Sequence, residues 1–190
     1  MEMKGSRTEQ NLMKAFAGES QARNRYSFYA KVAEEEGYLQ IARIFLETAD
    51  NERAHAYGFF SMLDGGMPEL TASYPAGPVH TTAENLRAAA DGELLEWGTL
   101  YPDFAEVAEQ EGFKRAAATF RKTTEAEKYH ERRYRKLLAS VEASQVFSKA
   151  APTLWKCGEC GYVHEGPEAP KVCPLCGRPQ AYFEVYCENY

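Results

Sequence analysis

Two short motifs pair a glutamate with a histidine three residues later, Glu52–His55 and Glu127–His130. On an α-helix this spacing places both side chains on one face, about one turn apart. A carboxylate and an imidazole held in this way could bind one metal ion together. A single motif of this kind is usually a solvent-exposed pair. The two copies lie 75 residues apart, so the first question is whether the whole segment is repeated.

The sequence around the motifs is repeated at the same offset. Residues 29–38 read YAKVAEEEGY, and residues 104–113 read FAEVAEQEGF. Tyr26 in the first half matches Tyr101 in the second. Because both motifs occur in register within a repeat, chance is a poor explanation for them, and metal binding is favoured.

Each half carries one further glutamate upstream of its tyrosine. Glu19 lies seven residues before Tyr26, whereas Glu93 lies eight residues before Tyr101. The extra residue in the second half predicts a π-turn, a feature that often occurs at functional sites. Glu96 lies three residues after Glu93 and would face the same site, either as an additional ligand or as an exposed helix residue.

Four long helices are expected to hold these side chains. We expect them over residues 6–36, 38–63, 81–111 and 113–140. Ser6–Glu9 and Thr81–Glu84 are typical of capping boxes, which open helices. Gly37 and Gly112 suit the left-handed position that ends a helix. The first and third helices therefore each have a start signal and a stop signal.

The connections between the helices predict how they pack. Very short connections make the first and second helices, and likewise the third and fourth, antiparallel neighbours. Residues 65–80 contain three prolines and are expected to form a crossover. Pro102 falls inside the third helix, where we expect a kink. Two hairpins and one crossover predict a ferritin-like four-helix bundle.

The four helices together supply seven candidate metal ligands. They are Glu19, Glu52, His55, Glu93, Glu96, Glu127 and His130. One glutamate from each of two helices, with Glu-x-x-His from each of the others, is the pattern of ferritin-like di-iron and di-manganese proteins. Oxygen-rich ligands with two imidazoles favour iron or manganese over zinc. The sequence therefore predicts a dinuclear metal site inside the bundle.

Four of the five cysteines form two C-x-x-C pairs near the C-terminus. They are Cys157, Cys160, Cys173 and Cys176. Each pair is followed by glycine, and the pattern predicts a tetrahedral four-thiolate site for zinc or iron. We expect a bundle over residues 1–145, a linker over 146–152 and a small metal module over 153–190, which is too short to fold on an apolar core alone. Cys187 is expected to be an ordinary thiol.

Composition excludes several classes of function. The net charge is −6, which argues against a nucleic-acid partner and against an anionic membrane surface. No apolar run approaches the ~18 residues that a membrane span needs. The N-terminal residues lack an apolar signal segment, so the expected location is the cytoplasm.

The chain resembles the rubrerythrins over essentially all of its length. Residues 15–26, AFAGESQARNRY, resemble the first ligand helix of that family. Residues 155–166, followed by Cys173-Pro174, resemble its rubredoxin-like tail. The resemblance implies a mainly α fold, with a ferritin-like four-helix bundle followed by a small β-rich rubredoxin-like module.

The resemblance also implies a function and roles for individual residues. It implies a non-haem di-iron peroxidase that reduces hydrogen peroxide to water in oxidative-stress protection, with two irons in the bundle and one iron in the four-cysteine site. Glu96 and His55 match a pair that exchange on one iron as it changes oxidation state. Tyr26 and Tyr101 match tyrosines near the iron site, although core packing would also explain them. The fixed ligands would be Glu19, Glu52, Glu93, Glu127 and His130.

The resemblance also implies an electron donor and a dimer, and other functions would use parts of the same chain. Electrons would come from an external donor, a rubredoxin or an NAD(P)H-dependent reductase, and the family resemblance supports a homodimer. A ferritin-like iron-oxidising or iron-binding protein would use the same bundle but would not need the tail. An oxygen-activating monooxygenase would need a substrate cavity. Zinc in the tail would instead favour a non-catalytic metal-binding sensor.

Overall fold

Five α-helices and one π-turn form the bundle. The computed structural model describes residues 2–189. The helices are α1 (Arg7–Glu35), α2 (Leu39–Phe60), α3 (Thr82–Leu95), α4 (Tyr101–Gln110) and α5 (Lys114–Glu142), with the π-turn at Glu96–Leu100 between α3 and α4. α1 packs along α2, and both α3 and α4 pack along α5. Because α3, the π-turn and α4 together form the third long helix, the predicted ferritin-like four-helix bundle is confirmed.

Side chains cap the helices where the sequence predicted. The Ser6 hydroxyl accepts a hydrogen bond from the Glu9 N–H at 2.9 Å. The Glu9 carboxylate bonds to the N–H of Gly5 at 2.7 Å rather than to that of Ser6, so only half of this capping box forms. Thr81 and Glu84 form the complete reciprocal box that opens α3. Each cap satisfies amide groups that a helix start leaves without partners.

The two hairpin turns are built alike in both halves of the repeat. Gly37 and Gly112 each have φ of +83°, a conformation that costs glycine little. The N–H after each glycine reaches back to the preceding helix, from Tyr38 to Ala33 and from Phe113 to Ala108. This is the bonding of a glycine C-cap, and it brings the next helix back antiparallel.

The predicted π-turn is confirmed. The N–H of Tyr101 donates to the carbonyl of Glu96, five residues earlier. Pro102 follows at once in the first turn of α4, where its missing N–H costs little. The disruption expected at Pro102 therefore takes the form of the wide turn that precedes it.

Two apolar clusters lie above and below the middle of the bundle. The first is centred on the buried rings of Tyr26, Phe45 and Tyr134. The second is centred on the buried rings of Phe59, Tyr101 and Phe120. Along each helix the predicted ligands fall between residues of the two clusters. The close-packed rings therefore hold the ligand-bearing turns rigidly on both sides.

A small antiparallel sheet forms the C-terminal module. Its strands are β1 (Ser148–Cys157), β2 (Val163–Glu168) and β3 (Phe183–Val185), in the order β2-β1-β3. Trp155 is fully buried, and its indole N–H donates to the Gly166 carbonyl at 2.9 Å. β1 begins inside the predicted linker 146–152, with an irregular register between Ser148 and Thr153. That part of the chain is therefore strand rather than free linker.

The module contacts the bundle at the turn between α1 and α2. Arg43 on α2 forms an ion pair with Glu184 on β3. The rings of Tyr38 and Phe147 stack with centroids 6.2 Å apart. Within residues 2–189, no helix has the length and apolar character that a bilayer span requires.

Candidate metal centres

Two groups of candidate ligands meet in the middle of the bundle. The first contains Glu19, Glu52, His55 and Glu127, and the second contains Glu52, Glu93, Glu127 and His130. In each group the ligand atoms lie within 4.8 Å of one another. Because Glu52 and Glu127 belong to both groups, the arrangement suits two neighbouring cations bridged by two carboxylates.

Each shared carboxylate presents one oxygen to each histidine. Glu127 places Oε1 2.9 Å from Nδ1 of His55 and Oε2 2.7 Å from Nδ1 of His130. Glu52 places Oε2 2.9 Å from His55 Nδ1 and Oε1 3.2 Å from His130 Nδ1. Each of these glutamates therefore lies beside the histidine of its own motif and also beside the histidine of the other motif.

Two tyrosines orient the remaining glutamates. The Tyr26 hydroxyl donates to Oε1 of Glu93 at 2.6 Å, and the Tyr101 hydroxyl donates to Oε1 of Glu19. Burial and then the neighbouring carboxylate raise the pKa of both tyrosines, so they stay protonated as donors. Each tyrosine thus fixes the glutamate from the other half of the repeat and leaves that glutamate's second oxygen free.

The free ligand atoms show that these residues fit a metal pair. Eight buried atoms at the site have no hydrogen-bond partner among the described residues: Glu19 Oε2, Glu93 Oε2, both oxygens of Glu52 and Glu127, and Nδ1 of His55 and His130. They lie close together but do not point at one another in hydrogen-bond geometry. Orphaned buried polar atoms are costly. Two cations would satisfy all of them, and this oxygen-rich donor set with two imidazoles suits iron.

Without metal, protons occupy several of the ligands. Burial, and then repulsion from neighbouring carboxylates, raises the pKa of Glu19 and Glu93. Burial also acts to raise the pKa of Glu127, but the two histidines outweigh it and lower it to about 2. Burial acts to lower the pKa of each histidine, but the nearby carboxylates of Glu127 and Glu52 outweigh burial. They raise the pKa of His55 to about 10 and the pKa of His130 to about 9.

Metal binding should therefore release protons. At pH 7 both imidazoles are charged in the metal-free protein, since their pKa values lie near 10 and 9, and they must become neutral to bind metal. Titrating manganese(II) into protein with an empty bundle site and a filled cysteine site should release at least about two protons. Calorimetry in buffers of different ionisation enthalpy measures this number.

The sign of the pH dependence follows from the same pKa values. Protons compete with the metal below the raised pKa of each histidine, so affinity should fall as the pH is lowered from 8 to 6. Proton release near zero, or an affinity that does not change over this range, would contradict the assignment of His55 and His130 as ligands.

Glu96 lies beside the site but outside both ligand groups. It is half-buried at the start of the π-turn. Burial and then Glu127 raise the pKa of its carboxyl, whereas Arg25 and His55 act to lower it. His55 is in ligand position here, so the predicted exchange of Glu96 with His55 stays a prediction. Arg25 was not among the predicted site residues, because nothing in the sequence indicates that it lies near Glu96.

The four predicted cysteines converge in the C-terminal module. Sγ of Cys157 is 3.8 Å from Sγ of Cys176, and Sγ of Cys160 is 3.6 Å from Sγ of Cys173. A disulfide would require about 2.05 Å, whereas sulfurs at about 2.3 Å from a central metal lie about 3.8 Å apart on a tetrahedron. The spacing therefore fits a metal site. Cys187 is exposed and lies outside the cluster.

Backbone amides support the thiolates. Gly161 and Gly177 each have positive φ and donate from N–H to the carbonyls of Cys157 and Cys173, at 2.9 Å. These turns direct the following amides at the sulfurs. Burial acts to raise the pKa of Cys173, but backbone N–H groups outweigh it and lower the pKa to about 7. A thiol held in this way gives up its proton readily to a metal.

Comparisons with known proteins agree with this geometry. The family model described as Rubrerythrin matches residues 10–138, and the model described as Rubrerythrin, rubredoxin-like domain matches residues 155–184. The rubrerythrin of Porphyromonas gingivalis is 58% identical over 188 residues, which cover 99% of this chain and 94% of that protein. The rubrerythrin of Nitratidesulfovibrio vulgaris is 46% identical over 188 residues, which cover 99% of this chain and 98% of that protein.

A solved structure has the same architecture. Nigerythrin in its fully reduced, all-ferrous state superimposes with a TM-score of 0.65 at 34% identity, covering 96% of this chain and 87% of that chain. Both the sequence and the fold are therefore shared along nearly the whole length. The chain belongs to the rubrerythrin family, and it carries the di-iron site of that family together with a rubredoxin-like four-cysteine cluster.

Proposed function

We propose that the protein is a non-haem di-iron peroxidase that reduces hydrogen peroxide to water in oxidative-stress protection. One observation carries the proposal: two ligand groups that share Glu52 and Glu127, and a cluster of four cysteines, occur in the same chain. Irons bound at these two places would supply the two electrons that peroxide reduction consumes and a one-electron centre to replace them. An iron store would not need the second centre.

The side chains around the dinuclear site have defined tasks in this reaction. Glu52 and Glu127 would each hold both irons, and the tyrosine hydroxyls hold Glu19 and Glu93 in place. Glu96 lies at the wall of the cavity through which peroxide would arrive, and burial raises the pKa of its carboxyl. A carboxyl at this place would be positioned to give a proton to an oxygen released when the O–O bond breaks.

A visible spectrum with a metal count tests the proposal. The purified protein should hold about three irons per chain and show the bands of a ferric tetrathiolate. These bands should bleach on anaerobic reduction and return when hydrogen peroxide is added, with water as the product. A colourless tail that holds zinc would break the electron path, and the iron-binding or sensor function would then be the better explanation.

His55→Ala should slow peroxide turnover while the chain still binds iron. Glu52 and Glu127 would still bridge the pair, so the variant keeps most of its ligands. It lacks the imidazole that we propose to replace Glu96 on reduction. Steady-state peroxidase rates measured beside an iron count check this. Wild-type rates in His55→Ala would contradict the proposed exchange between His55 and Glu96.

We further propose a homodimer in which the tail of one chain serves the bundle of the other. The chain's own tail contacts α2 as far along as Arg43, which pairs with Glu184, and Glu52 lies about 14 Å further along α2 at 1.5 Å per residue. A surface groove of about 490 Å³ beside His130 is lined by Arg132, Arg133 and Lys136. Residues 153–189 carry three cationic and five acidic side chains, so an acidic tail from a second copy suits this groove.

Mixing two inactive variants tests the dimer. A chain without the dinuclear site and a chain without the cysteine cluster should restore activity together after subunit exchange. A sedimentation profile of a monomer that is fully active at micromolar concentration would contradict the proposal.

The external donor would be a rubredoxin or an NAD(P)H-dependent reductase, acting in the cytoplasm.

A further inference from the structure

A cavity of about 400 Å³ lies against the dinuclear centre. Its inner wall includes Glu96 and Tyr101, and Tyr101 holds the ligand Glu19. Its outer wall is residues 71–75 of the crossover between α2 and α3. The cavity therefore lies between the ligand-bearing turns and the crossover segment that covers them.

Tyr74 fastens the connector over the cavity. Its hydroxyl donates to the carbonyl of Lys14 on α1 at 2.9 Å. Its ring lies over Gly18, where an added Cβ would come 3.7 Å from the ring edge. Tyr74 thus attaches the crossover segment to α1 at one point, and the cavity lies beneath that segment.

Two glycines in the helices keep the space open. Gly18 and Gly92 directly precede the ligands Glu19 and Glu93, and both line the cavity. Glycine inside a helix costs about 0.5–1 kcal/mol relative to alanine. A Cβ at Gly92 would lie 3.6 Å from the nearest side-chain atom, which is ordinary contact, as at Gly18. A clash with an added Cβ therefore does not explain why either residue is glycine. Longer side chains at these positions would occupy the cavity.

The cavity is larger and more apolar than hydrogen peroxide needs. Leu95, Leu100, Phe104 and Pro75 form much of its wall. Hydrogen peroxide is little larger than a water molecule, whose share of liquid volume is about 30 Å³. Sites for small organic molecules span about 300–1,000 Å³ and are mostly apolar with a few polar groups. The cavity has the size and lining of such a site.

We infer that the cavity binds the organic group of a small hydroperoxide, with the O–O end directed at Glu96, so that the protein also reduces organic hydroperoxides. This inference rests on the peroxidase function proposed above. The hydroperoxide takes up two electrons and two protons, the O–O bond breaks, and an alcohol and water are formed. The electrons come from the reduced, ferrous protein, which an external one-electron donor of the rubredoxin class reduces again.

The test compares two substrates in matched variants. Values of kcat/KM for cumene hydroperoxide and for hydrogen peroxide are measured with the same iron-loaded preparation and reductant. Gly18→Leu fills the cavity, and Ala72→Trp fills it from the connector side without altering a helix. Gly58→Leu is the control, because Gly58 is also a helix glycine, has nothing within 4 Å of an added Cβ, and does not line the cavity.

The ratio of the two kcat/KM values decides the inference. It should fall at least about tenfold, which is 1.4 kcal/mol, in Gly18→Leu or in Ala72→Trp, and should not change in Gly58→Leu. A wild-type protein that reduces hydrogen peroxide but not cumene hydroperoxide would overturn the inference and leave the proposed function intact. A protein that reduces neither would overturn both.

A binding measurement gives a second readout that does not depend on turnover. The unreactive product alcohol, 2-phenyl-2-propanol, is titrated into the oxidised protein in a calorimeter. The wild type and Gly58→Leu should bind one molecule per chain, and Gly18→Leu should bind none. Equal binding by wild type and Gly18→Leu would place the alcohol elsewhere and overturn the inference.

Discussion

Replacement of Glu127 by alanine should leave about one iron per chain, the one held by the cysteines, instead of about three. Glu127 is the residue on which both halves of the dinuclear site depend. It is fully buried, belongs to both ligand groups, and contacts both histidines at 2.9 and 2.7 Å. Removal of a residue that hydrogen-bonds to a metal ligand typically lowers metal affinity about 10–100-fold. Removal of a ligand that both metals would share should lower metal affinity further. Peroxide reduction should fall to background.

The control for this experiment lies two residues away. Glu125 is exposed and pairs with Lys122 on the bundle surface, so Glu125→Ala should keep about three irons and wild-type activity. Glu127→Gln separates charge from shape, because it keeps the length of the side chain but cannot act as an anionic bridge. A Glu127→Ala protein that still holds two irons in the bundle would refute the bridging role.

The repeat allowed most of the bundle to be predicted from the sequence. Helical periodicity at i and i+3 placed each glutamate beside its histidine, and the observed groups contain six of the seven predicted ligands. The single extra residue between Glu93 and Tyr101 predicted the π-turn, which the structure shows at Glu96–Leu100. These features could be predicted because they depend on spacing along one helix, which the sequence contains directly.

Features that depend on contacts between helices could not be predicted. The family resemblance implied that Tyr26 and Tyr101 lie near the metals, but neither it nor the residue spacing showed that each one hydrogen-bonds to a glutamate from the other half. That crossing depends on how each helix is rotated in the bundle, which packing of the ring clusters decides. Nor did the sequence show that residues 71–75 close a cavity, because the path of an irregular connector has no periodic pattern.

The bounds of the tail module stay a prediction, and its first strand shows why composition alone does not place them. Residues 148–152 have the composition of a linker, yet they belong to β1, which pairs with β2 at Ser148 and again from Thr153. Strand formation depends on that partner more than on intrinsic propensity. The two C-x-x-C pairs, by contrast, were sufficient to predict the cluster, since short turns of fixed geometry place each pair of sulfurs.

Cys173→Ser should abolish catalytic turnover but not the first reaction with peroxide. The substitution removes one of four thiolates, the one whose pKa backbone amides lower to about 7. The module is small, and metal ligation of this kind contributes about 10–16 kcal/mol to folding. The variant should therefore lose the tail iron, and with it the ordered sheet around Trp155 and the path by which electrons enter. Near-ultraviolet circular dichroism and an iron count would report both losses.

Single-turnover kinetics separate this defect from damage to the bundle. If Cys173→Ser is reduced chemically, mixed once with hydrogen peroxide and followed by stopped flow, the dinuclear site should oxidise at the wild-type rate, because the bundle ligands lie on other elements. Steady-state turnover with an external donor should be at background. Cys187→Ser is the matched control, since Cys187 is exposed and outside the cluster, and it should behave as wild type in both assays. Full steady-state turnover in Cys173→Ser would show that electrons reach the bundle without the tail, and the tail would then have a structural role only.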